Sequence, residues 1–229
     1  MPDEFSTSTT VFEMKRIAYF GGTFDPVHNG HLTIAREIVK LFELDKFYFL
    51  PAYHAPHKPE RPPTSAFHRF AMLCLATRSE ANIAVSTIEV ESGQRRYTID
   101  TLPQLRNTHP LDKIYFVMGA DSWAEITTWR EWETLLLNFD HIVVTRPGYE
   151  IRLDHVTDAV RERVVDLREV DRIRSKTDIP GFRIYLTDAA FFDTSATALR
   201  DDLNDGHLER DNELPTEVAK YIEKYELYR

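Results

Sequence analysis

Cysteine is nearly absent from this 229-residue chain: Cys74 stands alone. That excludes an intrachain disulfide and a cysteine-rich zinc site. Cys74 sits in the apolar helical stretch Phe70-Ala71-Met72-Leu73-Cys74-Leu75 and reads as a buried thiol in a reducing cytoplasm. No apolar run approaches the ~20 residues that span a bilayer, so no membrane partner is expected. Positive charge is in deficit, with a formal net charge of −9. Broad nucleic-acid binding draws on a basic surface and is therefore not expected, and an anionic substrate needs a local positive cleft instead. Neither the Gly-x-Gly-x-x-Gly dinucleotide fingerprint nor a P-loop ending in Lys-Ser/Thr occurs, which argues against hydride transfer and P-loop ATPase chemistry.

What is present suits a globular enzyme. At 42% hydrophobic and 28% charged residues, the chain can bury a substantial core. Residues 1–14 are rich in Ser and Thr, carry acidic residues and lack an apolar centre, so they read as a disordered leader and not as a signal or transit peptide. The remainder, 15–229, reads as a single domain. Short β-rich runs at Arg16–Phe20, Lys46–Leu50, Ile83–Val90, Lys113–Met118, His141–Thr145 and Arg183–Leu186 alternate with helical patterns. Such alternation predicts an α/β fold, a doubly wound parallel sheet with ligands at the carboxyl ends of the strands. Residues 146–181 are an elaborated edge, either an extra helix or a small appended subdomain, with Val156, Val160, Val164 and Leu167 at helical spacing. Pro215 opens an amphipathic terminal helix through Val218, Tyr221, Ile222 and Tyr225, whose aromatic stripe fits core or an oligomer contact; monomer and homo-oligomer both stay open.

The densest signal is Gly21-Gly22-Thr23-Phe24-Asp25-Pro26-Val27-His28-Asn29-Gly30-His31-Leu32, a strand end, a tight turn and a helix start carrying two histidines. Backbone N–H groups and the positive end of a helix dipole converge there, and an anion can sit against glycines that lack Cβ atoms. His28 and His31 fall on one helical face, which adds phosphate chemistry to phosphate binding. A second such element runs from Asp193 to Arg200, where Ser195 can cap a helix, Thr197 offers a hydroxyl and Arg200 several donors. Between them Tyr53-His54-Ala55-Pro56-His57-Lys58-Pro59 clusters two histidines, but its prolines and the lack of a nearby carboxylate or thiolate argue against a closed metal site.

The glycine–histidine segment resembles the signature of the nucleotidyltransferases with a His-x-Gly-His motif and, among them, the bacterial nicotinate-nucleotide adenylyltransferases. Three further segments fit the same family in the same order: Tyr97–Leu102, Met118-Gly119-Ala120-Asp121-Ser122-Trp123 with Trp129, and Thr194–Arg200. The resemblance implies a Rossmann-like nucleotidyltransferase fold with a C-terminal helical segment, and adenylyl transfer from ATP to nicotinate mononucleotide in NAD biosynthesis. It implies that His28, His31, Lys58 and Arg200 are catalytic, and that Gly21, Gly22, Thr23, Phe24, Gly119, Asp121, Ser195 and Thr197 join them around ATP. Tyr97, Thr98 and Trp129 would take the mononucleotide, the indole stacking on its pyridine ring and backbone N–H groups receiving its carboxylate. Trp123 and Trp132 are read as core. Mg²⁺ would arrive on the ATP phosphates, with no protein metal site of its own. The chain departs from the family at Ala196, where a second serine is usual.

Three rivals share parts of this pattern. A phosphopantetheine adenylyltransferase has the His-x-Gly-His element but does not require the Trp129 segment. A class I aminoacyl-tRNA synthetase fragment would be less acidic and would carry a Lys-Met-Ser-Lys-Ser-like loop. A catalytically silent nucleotide-binding regulator has only Ala196 in its favour.

Overall fold

The computed structural model describes residues 13–54, 63–145, 150–168, 179–188, 199–200 and 213–228. Seven strands form one sheet: β1 (Arg16–Gly22), β2 (Lys46–Pro51), β3 (Ile83–Val85), β4 (Lys113–Gly119), β5 (Asp140–Val144), β6 (Val164–Asp166) and β7 (Ile184–Thr187). Their order is β3-β2-β1-β4-β5-β7-β6, and every pairing is parallel. The doubly wound parallel sheet expected from the alternation is the architecture found. The helices are α1 (Asn29–Leu41), α2 (Ala66–Thr77), α3 (Ile88–Ser92), α4 (Thr98–Thr108), α5 (Ala120–Ala124), α6 (Trp132–Asn138), α7 (Asp158–Arg161) and α8 (Thr216–Lys224). None is long and apolar enough to cross a membrane among the described residues.

Alternation along the strands builds two cores. Ala18, Phe20, Phe47, Phe49 and Val117 point to the face covered by α1, α2 and α8, while Ile17, Tyr19, Phe116 and Met118 point to the face covered by α4, α5 and α6. The order reverses at the β1–β4 pair: the chain leaves β1 towards β2 and leaves β4 towards β5. The crevice at the carboxyl ends of these two strands is where this topology binds ligands. Gly21-Gly22 and Gly119 close those two strands and so stand on its rim.

Three local expectations change. The run Ile83–Val90 was expected to be one strand, but β3 stops at Val85 and α3 begins at Ile88. In the register Val85↔Phe49, Thr87 would meet Pro51, which has no N–H to extend the ladder. The valine spacing after residue 155 was read as helical, yet α7 is a single turn and Val164 and Val165 belong to β6, the edge strand beside β7. A β-branched pair next to an open sheet edge is better placed in the ladder than in a helix. Cys74, expected to be buried, is exposed. The buried stripe of α2 is Arg69, Met72, Leu73, Ala76 and Thr77, and Cys74 shares the outer face with exposed Phe67, seven residues before it. The terminal helix does form: Val218 and Ile222 are core, whereas Tyr225 is 48% exposed.

Candidate active site

The glycines that end β1 are needed first by the protein's own aromatic rings. A Cβ on Gly21 would lie 2.5 Å from the Phe116 ring, and one on Gly22 would lie 2.8 Å from the Phe24 ring. The expectation that they clear space for a nucleotide is therefore incomplete. Gly119 differs, with nothing within 4 Å of a Cβ position. Phe24 itself adopts φ 51°, a left-handed conformation that costs a non-glycine residue ~1–2 kcal/mol. Burial among Phe20, Phe49 and His31 holds it there, with its ring edge-on to His31 at 5.0 Å.

His28 is the N-cap of α1 and is 5% exposed. His31, one turn on, accepts the His28 backbone N–H at Nδ1 (3.3 Å), and the two rings stack 3.8 Å apart. Burial holds the His31 imidazole well below its ordinary pKa, and the neighbouring His28 pushes it the same way. The ring is thus neutral, and because Nδ1 is an acceptor the proton sits on Nε2, where it can donate to an anion. The helix start is partly occupied: the Asn29 N–H donates to the Glu213 carbonyl (2.7 Å), and the His31 N–H bonds to the His28 carbonyl (3.0 Å).

Behind this turn lies Arg69, which stands one residue before the apolar stretch that begins at Phe70 and which the sequence reading left unmentioned. Its guanidinium is fully buried and donates to the carbonyls of Thr64 (2.8 Å), Thr23 (2.6 Å), Ala52 (2.6 Å) and Tyr53 (3.3 Å). One cation thereby ties the turn after β1 to the segment after β2. The signal was present, since Arg69 keeps helical spacing with Met72, Leu73 and Ala76 on the buried face. Asp25 is a second tie: Oδ1 accepts the Tyr228 hydroxyl (2.5 Å), Oδ2 the Thr64 N–H (3.1 Å), and its carbonyl accepts Nη1 of Arg200 (2.6 Å). Arg200 therefore meets the turn that follows β1 at the Asp25 carbonyl. Lys58, Ser195 and Thr197 lie outside the described residues.

A cavity of about 660 Å³ opens on the crevice. It joins Gly21, Gly22 and Thr23 to Asp121 and Ser122 after β4, to Tyr97 and Thr98 at the start of α4, and to Trp129. His28, His31, Phe24, Gly119 and Arg200 do not line it. Trp129 is half-buried, with its ring edge-on to Phe116 at 6.3 Å, whereas Trp123 is buried and donates Nε1–H to the Arg152 carbonyl. No side chain caps α4 among the described residues; its Asp100 and Thr101 N–H groups bond to the Tyr97 carbonyl, and Thr98, its first residue, lines the cavity wall. Two guanidinium groups approach the Tyr97 ring, Arg95 at 5.1 Å and Arg130 at 5.2 Å from its centroid. With Arg96 they set three guanidinium groups in a wall that also carries Glu89, Asp121 and Glu125, so cations are present there although the chain as a whole is acidic. Sequence reading missed these arginines, and also Glu89, a buried carboxyl in the same wall. Among the described residues, no group of three His, Cys, Asp or Glu side chains could hold a metal ion.

Residues 19–201 match the cytidylyltransferase-like family. A probable nicotinate-nucleotide adenylyltransferase of Corynebacterium glutamicum is 34% identical, the match covering 97% of this chain and 92% of the relative. A protein of the same name from Symbiobacterium thermophilum is 36% identical over 94% and 96%. Among solved structures, a Plasmodium falciparum nicotinic acid mononucleotide adenylyltransferase complexed with NaAD shares the fold, with a TM-score of 0.64 at 19% identity over 93% of this chain and 97% of that one.

Proposed function

The chain belongs to the cytidylyltransferase-like family, and from that premise we propose that it transfers the adenylyl group of ATP to nicotinate mononucleotide, giving nicotinate adenine dinucleotide and pyrophosphate. The observation that carries this reading is the cavity, which connects the turn after β1 with the start of α4 and Trp129. A nucleotide at the crevice and a pyridine ring on the indole would share one space, and the −9 chain offers its arginines there.

A phosphate oxygen of the mononucleotide attacks the α-phosphorus of ATP in line; the new P–O bond forms as the bond to the β-phosphate oxygen breaks, and pyrophosphate leaves. Positioning and charge stabilisation carry most of such a transfer, with no covalent enzyme intermediate. His31 donates Nε2–H to a phosphate oxygen, and His28 stands beside it. Arg200, Lys58 and Thr197 take triphosphate charge and hydrogen bonds, joined by Ser195. Asp121 accepts from a ribose hydroxyl, and Gly119 leaves room for the nucleotide. The uncapped start of α4 receives the nicotinate carboxylate while Trp129 stacks on the ring.

The residues fit a Mg²⁺ ion carried by ATP, because both oxygens of Asp25, the carboxylate of the phosphate turn, are already engaged by Tyr228 and Thr64. When bound, Mg²⁺ neutralises charge on the triphosphate oxygens. We place the reaction in the cytoplasm, where ATP is at hand, and read 15–229 as one domain, since one sheet collects strands from Arg16 to Thr187.

Pyrophosphate release from ATP with nicotinate mononucleotide, nicotinamide mononucleotide and phosphopantetheine as separate acceptors tests the reading. Release with nicotinate mononucleotide above the other two is the expected result; release only with phosphopantetheine, or with none, overturns it.

A further inference from the structure

Glu89 is the one carboxyl in the cavity wall that the proposed chemistry leaves without a task while the fold keeps it buried. It lies on α3, is 8% exposed, and accepts the Thr101 hydroxyl at Oε1 (2.9 Å). Thr101 is itself fully buried on the first turn of α4, where its hydroxyl and N–H also face the Tyr97 carbonyl. Glu89 therefore stands next to the backbone N–H groups assigned to the substituent on the pyridine ring, and it shares the cavity with Trp129.

We propose that the Glu89 carboxyl contacts that substituent directly and sets the preference between a carboxylate and an amide. This rests on the adenylyl-transfer reading given above. A protonated carboxyl donates to a substrate carboxylate, and an ionised one repels it while accepting from an amide N–H.

The surroundings put the switch in the neutral range. Burial raises the Glu89 pKa to about 7, against the Thr101 hydrogen bond and the Arg96 charge, which both favour the anion. On the packed elements, β2 carries Lys46 and Tyr48, α2 carries His68, Arg69 and Cys74, and α4 carries Asp100 and Arg106. The cavity wall adds Arg95, Asp121, Glu125 and Arg130. Of all these groups, it is Arg96 whose charge acts on Glu89.

The test is the ratio of kcat/KM for nicotinate over nicotinamide mononucleotide, followed as a function of pH. Titration of the histidines, ATP and the acceptor phosphate is common to both substrates and cancels in the ratio. The ratio should fall ~10-fold or more between about pH 6 and about pH 8.5 in the wild type, since kcat/KM reports the free enzyme's groups, and it should stay within ~2-fold in Glu89→Gln. A flat wild-type ratio, which needs no variant to fold, overturns the proposal; so does a fall that persists in Glu89→Gln, or a Glu89→Gln protein with a lower Tm and an unchanged profile. Absence of product with both mononucleotides at every pH would strike the adenylyl-transfer reading, and this inference with it.

Discussion

The imidazole rings of His28 and His31 stack with centroids 3.8 Å apart and planes 32° apart. At that distance two imidazolium charges oppose each other strongly, so the pair waits at neutral pH with His31 uncharged and its Nε2–H free to donate.

Removing this donor should cost turnover more than stability. His31→Ala is expected to lower kcat ~100-fold or more, the scale of a lost preorganised donor. The hydrogen bond to the His28 N–H is worth ~1 kcal/mol, so Tm should move by only ~2–4 °C. Steady-state kinetics beside a thermal melt checks both; normal turnover, or an unfolded variant, would assign His31 a different role.

Proton uptake on binding follows from the same ring. An anion at Nε2 favours the charged form of His31 and raises a pKa that burial has lowered, at the cost of the His28 N–H bond to Nδ1, so MgATP binding should draw protons from solution. Titration calorimetry in buffers of different ionisation enthalpy measures the uptake, and His31→Asn should reduce it. Equal uptake in the variant would move the proton elsewhere.

Trp129→Ala should raise KM for the mononucleotide ~10-fold or more, consistent with ~1–2 kcal/mol of lost aromatic contact, and leave KM for ATP within ~3-fold. Varying each substrate at saturation of the other separates the two. A defect confined to ATP would show that the indole does not hold the acceptor.

Arg69→Leu tests the tie between the two loops. Four carbonyls would lose their donor, and at ~1–3 kcal/mol for each buried unsatisfied group the stability loss should reach ~3 kcal/mol or more. Urea denaturation reads the loss, and a change below ~1 kcal/mol would mean that water replaces the guanidinium without cost.

His141 gives a pH prediction of known sign. It is fully buried on β5, with Nδ1 at 2.9 Å from the Phe139 carbonyl and Nε2 without a hydrogen-bond partner, and burial lowers its pKa to about 4. Below pH 6.5 the unfolded chain takes up a proton that the folded one refuses, so this residue's contribution is present above that pH and is lost as pH falls towards 4. The full loss corresponds to ~3 kcal/mol. His141→Leu should flatten this part of the stability profile between those pH values, measured by denaturation at a series of pH; an unchanged slope would show that His141 does not set it.

Much of this molecule is written locally. The alternation of β-rich and helical runs dictates a parallel sheet, because each strand is apolar on both faces and needs helices to cover it. Gly21-Gly22, His28 and His31 mark the turn after β1 from spacing alone, since one helical turn puts both imidazoles on one face. Other features depend on partners distant in sequence. Whether Ile83–Val90 stays a strand depends on Pro51 in the neighbouring ladder, and whether Val164 joins a strand depends on the open edge of β7. Gly21 answers to the Phe116 ring, Arg69 finds its carbonyl partners on two loops, and Glu89 is buried where α3 packs on β2 and α2 and meets Thr101 of α4. Desolvation and hydrogen-bond partnership are properties of the folded surroundings, so the sequence determined the scaffold and the paired histidines after β1, and tertiary structure decided which charges are buried and what they touch.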